Sequence, residues 1–151
     1  MKVRFKKLVE GAKMPIKAHK DDFAYDCYAV SCEEVAPNVY KYGLGFALQI
    51  DRSNWSFPDE DSVCAGFTLR PRSSVWKTGM VLSNSVGTID EGYTGEISAV
   101  FYHVMPNMPK YEVGDRVCQI HVEGNNTIDF CDVETLESTD RGAGGYGSSG
   151  K

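Results

Sequence analysis

Short stretches of two-residue alternation, each cut off by a turn signal, constrain this chain more than any other feature. Leu44, Phe46, Leu48 and Ile50 share one side of a run from Val39 to Ile50, and Val3-Arg4-Phe5-Lys6 alternates near the start. A period of two turns one apolar face toward a core, whereas a helix would need a period near 3.6. Further strand-like runs cover 24–30, 63–69, 96–105, 116–122 and 128–133, with Gly, Pro, Asn or Asp between them. Roughly ten short strands separated in this way predict an all-β fold, a barrel or jelly roll. The short helix expected in 72–79 has Ser73 or Ser74 as its cap and Gly79 beyond its end. Residues 51–62, D-R-S-N-W-S-F-P-D-E-D-S, break the alternation and read as an exposed loop.

The 151 residues suit one domain, taken as residues 1–136, followed by a Gly/Ser-rich arm at 137–151. The charge of -5 argues against a nucleic-acid partner or a membrane surface, which call for basic patches. No run reaches the ~18 apolar residues of a spanning helix, and the first residues lack the apolar core of a signal peptide. The five cysteines (27, 32, 64, 118 and 131) include no C-x-x-C pair. They fit mostly buried, reduced thiols and a cytoplasmic protein better than a disulfide framework or a zinc site.

Chemistry concentrates in a few stretches. N-S-V-G-T-I-D-E-G-Y-T-G at 84–95 holds Asp90 in an apolar setting and Tyr93 three residues on. Two short strands joined by a tight turn are expected there, with main-chain groups near the tip facing a planar ligand; an ordinary exposed hairpin is the plainer alternative. The tail R-G-A-G-G-Y-G-S-S-G-K at 141–151 has a phosphate-gripping composition but no G-K-[ST] of a P-loop. Against the plain reading of a flexible terminus stands Tyr146, a ring suited to stacking on a base. Pro71-Arg72-Ser73-Ser74 at a strand end suits an anion, or is a plain capped turn. Asp26, between aromatic residues in mid-strand, needs water, a cation or an ion pair with an Arg. In G-D-R-V-C-Q at 114–119 only Gln119 stands out as a group to point into a site, and the three histidines show neither ligand nor triad spacing.

Taken in order, A-Y-D-C-Y-A at 24–29, P-R-S-S at 71–74, the 84–95 stretch, G-D-R-V-C-Q at 114–119 and R-G-A-G-G-Y-G-S-S-G at 141–150 resemble the five motifs of the trimeric dUTPases. The resemblance covers nearly the whole chain. It implies a jelly-roll-like β-clip barrel, assembled as a homotrimer with active sites at subunit junctions. Each site would take the second and fourth motifs from one chain and the first and third from a neighbour. The implied reaction is Mg²⁺-dependent hydrolysis of dUTP to dUMP and pyrophosphate, which keeps uracil out of DNA and supplies dUMP.

Carried over by position, Asp90 would be the general base for the attacking water, and Tyr93 would pack against the deoxyribose and exclude a 2′-hydroxyl. Asn84, the main chain of Gly87, Thr88 and Ile89, and Ser98 would read the uracil edge. Arg72, Ser73, Ser74 and Gln119 would contact phosphate oxygens, and Asp26 would hold waters of the Mg²⁺ shell. The tail would close with Tyr146 on uracil, Arg141 on the γ-phosphate, and Gly147, Ser148 and Ser149 as further donors. Ala24 and Cys27 depart from the usual glycine and leucine of the first motif, and Tyr146 replaces the commoner phenylalanine. The rival inside the same fold is dCTP deaminase, which places a catalytic glutamate where this chain has Val100.

Overall fold

The protein's structure, a computed structural model, describes residues 2–52 and 63–126. The strands among them are β1 (Lys2–Lys7), β2 (Tyr25–Tyr28), β3 (Ser31–Ala36), β4 (Val39–Gly43), β5 (Phe46–Asp51), β6 (Val63–Pro71), β7 (Met80–Leu82), β8 (Gly87–Asp90), β9 (Ser98–His103) and β10 (Arg116–Asn126). A 3-10 turn at Ser73–Lys77 interrupts them. They form a ribbon of β1 and β5 and two four-stranded sheets, ordered β2-β10-β6-β8 and β3-β4-β9-β7, all paired antiparallel. The all-β fold expected from the alternation is the fold observed.

Inward residues of both sheets and the ribbon meet in one core. Tyr42, Leu44, Phe46, Phe101 and Val117 are fully buried there. Tyr42 packs edge-on against Phe101 and Tyr111 at ring separations of 5.9 and 6.2 Å, an arrangement that suits the ring quadrupoles. Its hydroxyl donates to the Tyr111 carbonyl at 2.8 Å, so the ring's one polar atom is satisfied inside the core.

Local chemistry corrects several sequence expectations. The run from Val39 to Ile50 is two strands, because Gly45 adopts φ +73° and the chain turns from one sheet to the ribbon there. A Cβ at Gly45 would lie 2.6 Å from the Val9 side chain, so both the backbone angle and the packing require glycine. The 84–95 stretch is not a hairpin. β8 pairs with β6 instead, and residues 91–97 cross to the other sheet, where Ile97 N–H donates to the Phe46 carbonyl and Leu44 N–H to that of Ile97.

Residues 73–77 are 3-10 rather than α-helical, preceded by Arg72 with no side-chain cap. β3 escaped the alternation test because all six of its residues are exposed. Cys27 and Cys118 are buried free thiols as expected, whereas Cys32 is exposed. The strand expected at 128–133 and the arm at 137–151 lie outside the described residues. No helix among the described residues is long and apolar enough to cross a membrane.

Candidate functional site

β8 is the edge strand of its sheet, and that position gives the 84–95 stretch its chemistry. One side of β8 pairs with β6, Gly87 opposite Leu69 and Asp90 opposite Gly66. On the other side no strand among the described residues pairs with β8, so alternate N–H and C=O groups of that edge are open. They border a cavity of about 140 Å³ lined by Asn84, Gly87, Thr88, Ile89, Ser98 and Val100, with Leu69 and Leu82 as apolar walls. The sequence reading named Asn84, Gly87, Thr88, Ile89 and Ser98; it did not name Leu69, Leu82, Ser83 or Ala99, which also line the cavity, and it considered Val100 only as the deaminase position.

Gly87 keeps the cavity open. A Cβ there would sit 3.3 Å from the Leu69 Cβ and 3.4 Å from the Asn84 Nδ2, so the Asn84 amide lies directly over a position that has no side chain. Gly66 plays a matching part at the other end of the pairing, where a Cβ would come within 2.8 Å of the Ile89 carbonyl oxygen. Along β8 the inward residues Gly87 and Ile89 are buried or half-buried, while Thr88 and Asp90 are exposed. Asp90 therefore stands on the outward face at the strand's end. The chain then turns, with Tyr93 N–H donating to the Asp90 carbonyl at 3.0 Å and the Tyr93 hydroxyl donating to the Glu96 carbonyl at 2.9 Å. The phenol lies against Gly95, where a Cβ would meet the hydroxyl at 2.6 Å. Glu91, next to Asp90, takes a two-point ion pair from Arg52 at 2.6 Å for each contact. That guanidinium holds the Glu91 carboxyl below its ordinary value.

A second group is built from interlocked side chains. Asp26 is 4% exposed, and its Oδ1 accepts from Arg72 Nε at 2.9 Å and from Gln119 Nε2 at 3.2 Å. Its Oδ2 accepts from Arg116 Nη1 at 3.0 Å and from Arg72 Nη2 at 3.3 Å. Arg72 Nη1 also donates to the Ser74 hydroxyl at 3.1 Å, and Ser73 is exposed beside it. Of the alternatives for Asp26, the ion pair with arginine is the arrangement present.

Arg116 had no role in the sequence reading. Its spacing from Gln119 would put the two on opposite strand faces. A register irregularity between Arg116 and Cys118 shifts the alternation and brings both to the Asp26 carboxylate. A bulge leaves no mark in residue spacing, which is why the signal was missing.

Asp26, Arg72 and Gln119, from the first, second and fourth motifs, thus meet in one group, and Asp90 of the third lies away from Arg72. Asp90 pairs with Gly66, and Arg72 follows Pro71 at the far end of β6. The five steps from Gly66 to Pro71 span roughly 17 Å at about 3.4 Å per residue. Among the described residues no hydrogen bond or ion pair joins the two groups.

Among the described residues, Asp26 could reach Mg²⁺ only through water and only after giving up a protein donor. The four acceptor positions of the Asp26 carboxylate are filled by protein donors, leaving none for metal-bound water without an exchange. Among the described residues no three His, Cys, Asp or Glu side chains cluster as a cage. Arg141, Tyr146, Gly147, Ser148 and Ser149 lie outside the described residues. His103 is half-buried with Nε2 3.0 Å from the Met108 carbonyl oxygen.

Comparison with known proteins gives consistent matches. A family model described as dUTPase matches residues 11–150. The deoxyuridine 5'-triphosphate nucleotidohydrolase of Corynebacterium diphtheriae is 32% identical over 142 residues, covering 91% of this chain and 85% of the relative. The Wolinella succinogenes protein of the same name is 32% identical over 157 residues, covering 100% and 95%. In structure, the Staphylococcus bacteriophage 80alpha dUTPase with dUpNHpp superposes with a TM-score of 0.76 at 24% identity, covering 99% of both chains. A variant dUTPase from phage phi11 of S. aureus, described with a structural Mg(II) ion, gives 0.67 at 21% identity over 91% of this chain and 100% of its own.

Proposed function

This chain belongs to the dUTPase family, and from that premise we propose that it hydrolyses dUTP to dUMP and pyrophosphate through a water oriented by Asp90. One observation carries the assignment of roles. The unpaired edge of β8 lines the cavity, and the same four-residue strand ends on Asp90, so base recognition and the catalytic carboxylate share one rigid element. A cavity of about 140 Å³ suits a single pyrimidine ring. Its main-chain donors and acceptors pair with a uracil edge and mismatch the 4-amino group of cytosine, while Asn84 over Gly87 bounds the space a 5-methyl would need. Tyr93, tied down by its hydroxyl, presents its ring to the deoxyribose.

In the reaction, Asp90 aligns the water and draws off its proton as the water oxygen bonds to the α-phosphorus. The bond from that phosphorus to the α,β-bridging oxygen breaks in line, and pyrophosphate leaves with the electron pair. Arg72, Ser73, Ser74 and Gln119 hold the phosphate oxygens. Because Arg72 lies at the far end of β6 from Asp90, these groups come from a second copy of the chain. A homotrimer with sites at its junctions meets that requirement and the family resemblance. Arg141, Tyr146, Gly147, Ser148 and Ser149, from the arm at 137–151, complete the site over the γ-phosphate and the uracil. Mg²⁺ would come with the substrate and offset phosphate charge, with Asp26 the residue that would meet its water shell, and the cytoplasm is the compartment the reduced thiols suit.

The deaminase alternative meets Val100 at the cavity wall, a side chain with no proton to relay. The test is a product assay with Mg²⁺ on dUTP, dCTP, dTTP and UTP separately, following pyrophosphate and ammonia. Pyrophosphate from dUTP alone is expected. Ammonia from dCTP would move the chain to deamination, and silence on all four with dUTP still binding would leave it a nucleotide-binding protein.

A further inference from the structure

The Asp26 cluster carries one more positive than negative charge, since Arg72 and Arg116 face a single carboxylate. That carboxylate is buried and cannot drift away. Asp26 N–H donates to the Ile16 carbonyl at 2.7 Å and its own carbonyl accepts from Ile16 N–H at 3.1 Å. Arg72 and Gln119, the proposed phosphate ligands, both spend donors on Asp26. A phosphate that draws them away leaves a buried carboxylate needing another counter-charge, and a buried charge stripped of its partner is strongly destabilising. Arg116 is already on Oδ2, and with its side chain 40% exposed against 21% for Arg72 it lies nearer the rim.

From this arrangement we infer that Arg116 is a positioning residue for phosphate binding: it holds Asp26 when Arg72 and Gln119 transfer to the substrate, and so makes that transfer accessible. The inference rests on the proposed role of Arg72 as a phosphate ligand. With Arg116 gone, Arg72 becomes the sole cationic partner of Asp26 and is locked in place. Phosphate affinity then falls although every proposed phosphate ligand is still present. Removing the Asp26 charge in the same molecule releases Arg72 and restores affinity. A residue that merely supported the fold would not be rescued in this way.

The experiment measures binding of inorganic pyrophosphate without metal, at fixed ionic strength, to the full-length protein and to Arg116→Gln, Asp26→Asn and the double variant. We expect Arg116→Gln to weaken binding about tenfold or more and the double variant to return within a few-fold of the starting protein. Arg116→Lys, which keeps the charge, retains most of the affinity. With dUTP as substrate, Arg116→Gln raises KM by a larger factor than it lowers kcat. Unchanged binding in Arg116→Gln, or a double variant as weak as the single one, overturns the inference. Arg72→Gln separates the two levels of argument: full pyrophosphate binding in that variant removes Arg72 as a phosphate ligand and the premise with it.

Discussion

The β8 cavity and the Asp26 cluster lie in the same sheet yet are built in opposite ways. The cavity is framed by main chain, and its important positions are defined by what is missing: no side chain at Gly87 and, among the described residues, no partner strand beyond β8. The cluster consists of side chains that fill one another's hydrogen-bonding capacity around a buried carboxylate. The first is shaped before any ligand arrives. The second must exchange partners to bind one, which turns its affinity into a balance between competing charges.

The sharpest way to break this comparison is at Asp90, the one reactive side chain on the main-chain side. Asp90→Asn should lower turnover by about 10²–10⁴-fold while a non-hydrolysable dUTP analogue still binds, because only proton transfer is lost. Steady-state turnover with a parallel binding titration checks both halves, and wild-type turnover would remove Asp90 as the base. Next comes Gly87→Val, which puts methyl groups where Leu69 and Asn84 already approach to 3.3 and 3.4 Å. Affinity for dUMP should fall roughly 10–200-fold, the range that small steric changes in a pocket produce. Pyrophosphate binding at the other group should stay unchanged, so a parallel loss at both would show that the two are not independent.

The smallest effect concerns the Arg52–Glu91 pair that braces the turn after Asp90. Arg52 holds the Glu91 carboxyl below 4.5, so between that value and its folded-state value the folded protein binds fewer protons than the unfolded chain. The pair's contribution is therefore full above about pH 4.5 and is lost as pH falls through the folded-state value. Both side chains are partly exposed, which limits it to about 1 kcal/mol or less. Denaturant titrations of the wild type and Glu91→Gln should differ at neutral pH and converge in acid. A difference that grows in acid would reverse the assignment.

The sequence announced the two groups unequally. Alternation at Leu44, Phe46, Leu48 and Ile50 reports burial directly, so the all-β fold was legible. Asn84 and Gly87 were legible together because the stretch that carries them is short and local, whereas Ser98, on the next strand, came in through the family resemblance. Whether 84–95 pairs with itself or with β6 was not, since strand partners depend on contacts distant in sequence. Gly45 illustrates the same limit: its positive φ divides an unbroken alternating run. Arg116 was hidden for a different reason, because the bulge beside it reverses the parity on which the reading depended.

The unpaired edge of β8 also bears on how this protein can change over generations. Apart from proline, which lacks the N–H, every residue supplies the same main-chain donor and acceptor, so most substitutions at Thr88 or Ile89 leave the lettering of the edge intact. Gly87 is the exception, since any side chain there enters the cavity. With β8 reading the base as proposed, that choice is insulated from most single-codon drift at Thr88 and Ile89, and Gly87 is the sensitive position. Choice of charge at Asp26, Arg72 and Arg116 has no such insulation, because there each codon encodes a whole unit of charge. Selection can retune the grip on phosphate one mutation at a time while the identity of the base stays fixed.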